Sequence, residues 1–138
     1  MSATLPADVL FVDDDPDMRA LVALTLAELA GVRVRTCACG AEALAEAARD
    51  PPDLLLLDVM MPGMDGVEVR RRLLADPRTA RIPVILLTAR VGPADLDLYA
   101  GLGVLGVIAK PFDPLELPET IGRMWNGDRD RAAACRAG

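Results

Sequence analysis

The sequence predicts an α/β domain: a parallel sheet of five strands wound with helices on both faces. Three observations carry this expectation. Short apolar runs alternate with stretches of helical periodicity, five times along the chain, and such alternation is the signature of parallel strands joined by crossover helices. Runs such as Leu54–Leu57 and Val84–Leu87 are apolar at every position, as strands covered on both faces require. With 138 residues, 52% of them hydrophobic, the chain can bury one good core but not comfortably two.

The first strand is Val9–Val12, ending in Asp13-Asp14. Asp15 then reads as a helix cap, with Pro16 at the first helical position, where its missing N–H is no loss. Met18, Leu21, Val22, Thr25 and Leu29 recur at helical spacing, and Gly31 stops that helix. Val32–Thr36 alternates valine with arginine and suits a more exposed strand. Gly40–Arg49 is an alanine-rich helix closed by Pro51-Pro52. Leu54–Leu57 runs into Asp58, and Met60–Gly66 is a loop by its proline and glycines. Val67–Ala75 is helical until Asp76-Pro77 breaks it. Ile82–Leu87 is a fourth strand, ending in Thr88, and Pro93–Leu102 a helix with glycines at its end. Val104–Ala109 is the fifth strand, ending in Lys110. The last helix spans Pro114–Trp125, with Pro118 awkward inside it. The domain is expected over residues 1–126, followed by a frayed polar tail over 127–138.

Several function classes are excluded by what the chain lacks. There is no histidine, and Ser2 is the only serine, so neither a Ser-His-Asp nor a Cys-His hydrolase can be assembled. A kinase that phosphorylates itself on histidine is excluded likewise. A net charge of −6 argues against nucleic acid as a partner, since phosphate binding wants a basic surface. The basic run Arg70–Arg72 points three ways from a helix and reads as a solvated face. Cys37, Cys39 and Cys135 lack metal-site spacing and read as reduced thiols, with a redox role for Cys37-x-Cys39 only weakly supported. No apolar run approaches a membrane span. Met1–Asp8 lacks the features of a signal peptide, so the expected location is the cytoplasm.

What the chain has in quantity is aspartate, and its placement is telling. Asp13 and Asp14 follow the first strand, Asp58 the third, Thr88 the fourth and Lys110 the fifth. In an open parallel sheet the carboxyl ends of the strands share one edge, where ligands bind. Three carboxylates brought together would repel one another unless a cation intervened. Oxygen ligands alone favour a hard ion, Mg²⁺ above all, or Mn²⁺ in its place. Lys110 is the chain's one lysine among 15 basic residues, a compact charge suited to a phosphoryl oxygen where an arginine fork would be bulkier. Such a group fits in-line phosphoryl transfer to Asp58, catalysed by positioning and electrostatics. Taken singly, each residue also reads blandly: Asp13 and Asp14 as a solvated strand end, Asp58 as a turn residue, Lys110 as an exposed charge. Their joint placement favours the site.

Val12-Asp13-Asp14-Asp15-Pro16-Asp17, Leu57-Asp58-Val59-Met60-Met61-Pro62-Gly63-Met64-Asp65-Gly66, Leu87-Thr88-Ala89 and Lys110-Pro111-Phe112 resemble the four signatures of the receiver domains of two-component response regulators. The resemblance runs from about Val9 to Trp125. It implies a flavodoxin-like sheet in the order 2-1-3-4-5 and assigns roles by position. Asp58 would be the phosphoacceptor. Asp13, Asp14 and Asp58 would hold Mg²⁺, with the backbone carbonyl of Met60 completing the ligands. Thr88 and Lys110 would contact the phosphoryl group, and Lys110–Pro111 would be a cis peptide. The implied partner is a histidine kinase or histidine phosphotransfer protein, docking at the helix that begins at Pro16 and at Phe112-Asp113-Pro114. The implied product is a phosphorylation-controlled switch or relay rather than a dedicated enzyme. The residues after Trp125 are too few for an output domain, so output is expected through a further protein.

The sequence departs from the family in one important place. Three residues before the lysine the family usually carries Tyr or Phe, a rotameric reporter of phosphorylation, and here stands Val107. Met60 and Arg90, two residues past Asp58 and Thr88, are poor aids to an attacking water, so a phosphoryl group lasting many minutes or longer is expected. Two alternatives remain. One is a receiver-like interaction module that takes no phosphate, supported only by Val107. The other is a flavin or nucleotide site, disfavoured because Asp13–Asp15 stands where a glycine-rich phosphate loop would be needed.

Overall fold

The computed structural model describes the backbone of residues 5–137 and the side chains of residues 5–127. Five strands, β1 (Asp8–Val12), β2 (Arg33–Cys37), β3 (Leu54–Asp58), β4 (Val84–Thr88) and β5 (Gly106–Ala109), alternate with five helices. These are α1 (Pro16–Ala30), α2 (Gly40–Arg49), α3 (Gly66–Ala75), α4 (Pro93–Gly101) and α5 (Leu117–Ala137). All pairings are parallel and the strand order is 2-1-3-4-5, as expected.

Period-two alternation splits the core into two layers. Leu10, Val12, Leu55, Leu57, Val84 and Leu86 face α2, α3 and α4, packing with Ala43, Ala47, Val69, Leu73 and Tyr99. Val9, Phe11, Leu54, Leu56, Ile85 and Leu87 face α1 and α5, packing with Val22, Leu26, Leu117 and Ile121. Every residue of β3 and β4 is buried, which is why both read as uninterrupted apolar runs. Edge strand β2 is more exposed. Its Arg35 is held rather than solvated, reaching Asp8 at 3.0 Å, Glu46 at 2.8 Å and the Asp50 carbonyl at 2.9 Å.

The helix signals behave as their chemistry dictates. The Asp15 carboxylate accepts from the Asp17 and Met18 N–H groups at 2.9 and 3.4 Å, capping α1. Gly31 closes that helix at φ +66°, a left-handed conformation that glycine adopts at little cost. A 3₁₀ turn over Pro114–Glu116 precedes α5. Pro118 therefore occupies the second position of α5 and not its interior, and its missing N–H breaks no bond.

Four expectations need correction. β4 begins at Val84, not Ile82, and β5 at Gly106, not Val104. The preceding residues still touch the sheet: the Pro83 carbonyl accepts from Leu55 N–H at 2.9 Å and Leu105 N–H donates to the Val84 carbonyl at 2.7 Å. The last helix ends at Ala137, not at Trp125. Arg70 is not part of a solvated face. It is 5% exposed, and its guanidinium donates to the carbonyls of Leu102, Ile82 and Gly103 at 3.0, 3.3 and 3.2 Å. Its neighbours Arg71 and Arg72 are exposed. Among the described residues, no helix is long and apolar enough to cross a membrane.

Candidate functional site

Strand register assembles the site. Val12 pairs with Leu57, so Asp13 emerges beside Asp58 at the carboxyl end of the sheet. Asp58 pairs with Leu87, Thr88 with Ala109, and Lys110 follows on the same edge. Ligand oxygens of Asp13, Asp14 and Asp58 all lie within 4.8 Å of one another. Asp13 and Asp58 are 1% and 2% exposed, whereas Asp14 is open to solvent. Burying two carboxylates side by side is costly without compensation, and that burial distinguishes the group from an ordinary acidic surface patch.

Part of the compensation is Lys110. Its Nζ donates to Asp58 Oδ1 at 3.1 Å and to Asp13 Oδ2 at 3.3 Å. The Met60 N–H also donates to Asp58 Oδ1 at 3.3 Å, and the Asp15 N–H to Asp13 Oδ1 at 3.0 Å. Burial nevertheless pushes the Asp58 carboxyl above its usual value, with the Asp13 charge adding to the shift and Lys110 opposing it. Burial acts to lower Lys110, but the Asp58 and Asp13 carboxylates outweigh it and hold the ammonium above its ordinary value. Two buried acids and one exposed acid facing a single ammonium leave negative charge in excess, and all the side-chain donors are oxygens. That donor set fits a hard divalent cation.

The other expected residues fall on the same edge. Thr88 is fully buried at the end of β4, and its Oγ1 accepts from the Arg90 N–H at 2.9 Å. Met60 is half exposed and lines, with Met61, Pro62, Asp65 and Arg90, a hollow of about 400 Å³. The Lys110–Pro111 peptide is cis. Val107 is half buried and packs against the core layer under α4. A second hollow, about 300 Å³, is lined by Met18, Ala89, Lys110, Pro111 and Phe112.

Two residues that shape this edge are given no role by the sequence. Gly66 opens α3 against the end of β3, where an added Cβ would stand 2.5 Å from the Asp58 carbonyl and 2.8 Å from Val59 Cα. Only glycine permits that approach, and the one available signal was a glycine following Asp65. Tyr99, the only tyrosine, is 2% exposed and donates to the Arg90 carbonyl at 3.0 Å. Nothing in the local pattern marked it. Cys37 and Cys39 are free thiols; burial, with Glu42 and Glu46 adding, pushes the Cys37 thiol up to about 11. The side chain of Cys135 lies outside the described residues.

Comparison with known proteins converges on one family. The model for the response regulator receiver domain matches residues 9–122. The response regulator PleD of Caulobacter vibrioides is 46% identical over 114 residues, which are 82% of this chain and 25% of PleD. An uncharacterised 14.6 kDa protein of Leptolyngbya boryana is 39% identical over 117 residues, 85% of this chain and 88% of that protein. The crystal structure of the chemotaxis response regulator CheY4 of Vibrio cholerae superposes with a TM-score of 0.79 at 35% identity, covering 86% of this chain and 98% of CheY4. The chain spans between 25% and 55% of the length of the first curated relatives it matches.

Proposed function

The chain belongs to the response regulator receiver domain family, and from that premise we propose that it is a phosphorylation-controlled switch or relay whose acceptor is Asp58. The observation that carries the reading is the meeting of Asp13, Asp14 and Asp58 within 4.8 Å, with the chain's single lysine bridging the two buried ones. The donor is a phosphohistidine on a histidine kinase or phosphotransfer protein. A carboxylate oxygen of Asp58 attacks phosphorus in line, the P–N bond breaks, and the leaving imidazole recovers its nitrogen lone pair. Asp13, Asp14 and Asp58 would hold Mg²⁺, with the Met60 carbonyl as a further ligand; the ion supplies neutralisation of charge on the transferring group. Lys110 is already hydrogen-bonded to Asp58 and needs little reorganisation to follow a phosphoryl oxygen. Thr88 contributes its hydroxyl.

The partner surface proposed is α1 together with Phe112-Asp113-Pro114. The apolar hollow between Met18 and Phe112 opens beside Lys110, and Leu21 and Leu24 on α1 are 43% and 60% exposed. A histidine-bearing helix seated there would reach the acceptor. Neither nucleic acid nor a membrane is a proposed partner, given the net charge of −6, and the cytoplasm is the proposed location. The receiver domain is proposed to span residues 1–126, and the Leptolyngbya boryana protein, matched over 88% of its length, is a relative that consists of little else.

Incubation with acetyl phosphate and Mg²⁺ tests the reading by intact mass. One phosphoryl increment is expected, absent in Asp58→Asn and after chelation. Once the donor is removed the adduct should last many minutes or longer, because Met60 and Arg90 are poor aids to placing an attacking water. Loss within seconds would refute that lifetime. Failure to form any adduct would overturn the acceptor role and leave a receiver-like interaction module that is not phosphorylated.

A further inference from the structure

Among the described helices, α4 alone buries a single residue, Tyr99. Three or more are buried by each of α1, α2 and α3, and α5 buries Leu117 and Ile121. The α4 N-cap is Gly92, which has no side chain to satisfy the first N–H groups. Leu96 and Leu98 face outward at 43% and 42% exposure, so they add little hold. Within the helix the hold is therefore one aromatic ring and the hydrogen bond its hydroxyl donates to the Arg90 carbonyl; past its end, Leu102 is buried and the Leu102 and Gly103 carbonyls accept from Arg70. Elements with so few buried contacts are those that open at the lowest cost.

Arg90 is gripped at both ends. Its carbonyl accepts from Tyr99 Oη at 3.0 Å, and its N–H donates to Thr88 Oγ1 at 2.9 Å. Thr88 in turn stands on the edge shared with Asp58 and Lys110. On β5, Val107 packs against the same core layer as Tyr99 but carries no polar atom in its side chain.

We propose that Tyr99 is a positioning residue that couples the state of Asp58 to α4, a role resting on the reading of Asp58 as phosphoacceptor. Turning the Thr88 hydroxyl toward a phosphoryl oxygen on Asp58 withdraws the acceptor from the Arg90 N–H. Freed at one end, Arg90 moves, and the carbonyl that holds the α4 anchor moves with it. The hydrogen bonds between Thr88, Arg90 and Tyr99 thus form one unit with two arrangements, biased by what Asp58 carries. An aromatic on the helix does what Val107 on the strand has no group to do.

The single tyrosine makes this testable in the unmodified sequence. Incorporating 3-fluorotyrosine gives one ¹⁹F resonance, recorded before and after acetyl phosphate and Mg²⁺, with the adduct counted by mass in the same sample. The resonance is expected to shift in proportion to adduct. A full adduct with an unmoved resonance overturns this inference and leaves the acceptor role standing, whereas no adduct overturns both. Tyr99→Phe keeps the ring and removes the hydroxyl. Its α4 amides should exchange about fivefold faster than wild type without phosphate, the effect of one lost hydrogen bond, and should gain no further rate with it. A phosphate-dependent rise in Tyr99→Phe equal to that of wild type would also overturn the coupling.

Discussion

Helices α3 and α4 follow the two strands that end in Asp58 and Thr88, yet they are held in opposite ways. The N-cap of α3 is Asp65, whose carboxylate accepts from the Glu68 N–H at 2.9 Å, and the helix buries Gly66, Val67, Val69, Arg70 and Leu73. It lies so close to β3 that its first residue has no room for a Cβ. By contrast α4 begins at an uncapping glycine and buries Tyr99 alone. The difference teaches where stiffness is placed. The proposed acceptor sits on a strand end braced by a rigid helix, and the residue proposed to sense it leads into a loosely held one. A carboxylate that must meet phosphorus in line needs fixed geometry; an element that must answer a change of charge needs a low cost of movement.

The largest expected effect comes from breaking the braced side. In Gly66→Ala the new methyl meets backbone at the Asp58 carbonyl and at Val59 Cα, so the strand end or the helix must shift. A displacement approaching an ångström should slow phosphorylation by acetyl phosphate about 100-fold, with the fold retained by circular dichroism. An unchanged rate would mean that α3 does not fix the acceptor. The equivalent change on the loose side, Gly92→Ala, meets only Asp95 Oδ2 at 3.4 Å, an ordinary contact, and should leave the rate within twofold or so of wild type.

Next in size is Arg70→Leu. The Arg70 guanidinium joins α3 to the turn after α4, through the carbonyls of Leu102 and Gly103, and to the Ile82 carbonyl before β4. Among the described residues no carboxylate forms an ion pair with it, and burial lowers its pKa from the ordinary arginine value; it remains charged all the same. Leucine would fill much of the volume and leave those carbonyls without donors, at a cost of about 2 kcal/mol in urea unfolding. If the two helices are independent apart from this tie, α4 should lose more exchange protection than α3. Equal loss would argue that Arg70 supports the whole layer.

Much of this contrast was written in the sequence and much was not. The strands were legible because burial on both faces admits only apolar residues, as at Leu54–Leu57. The carboxylates were legible because polar residues at the ends of parallel strands must meet on one edge. Arg70 was hidden because it sits in a run of three arginines and its partners are carbonyls 12 to 33 residues away, groups every residue possesses. The closeness of Gly66 to Asp58 depends on a helix–strand distance that no local pattern states. Tyr99 sits in a helix whose exposed Leu96 and Leu98 blur the periodicity that would mark its buried face. The strands β4 and β5 were read too long because apolar character continues past the residues that carry the ladder.

The smallest effect sharpens the comparison by making the two helices alike. Gly92 has extended backbone, φ −67° and ψ 165°, the conformation of a helix N-cap, and the space near it admits a side chain. Gly92→Ser would add the missing cap and reduce the freedom of the unfolded chain, together about 0.5–1 kcal/mol. Removing the existing cap with Asp65→Ala should cost about 1 kcal/mol on α3. Global unfolding should report the loss at Asp65, where α3 belongs to the cooperative core. The gain at Gly92 should show mainly as slower amide exchange across Pro93–Gly101, because α4 opens below the global transition. A serine that slowed exchange to the same degree in α4, α3 and the central strands, in step with global stability, would mean that α4 already unfolds with the core. A loose helix coupled to Asp58 would then have to be abandoned, however well Tyr99 and Arg90 are placed.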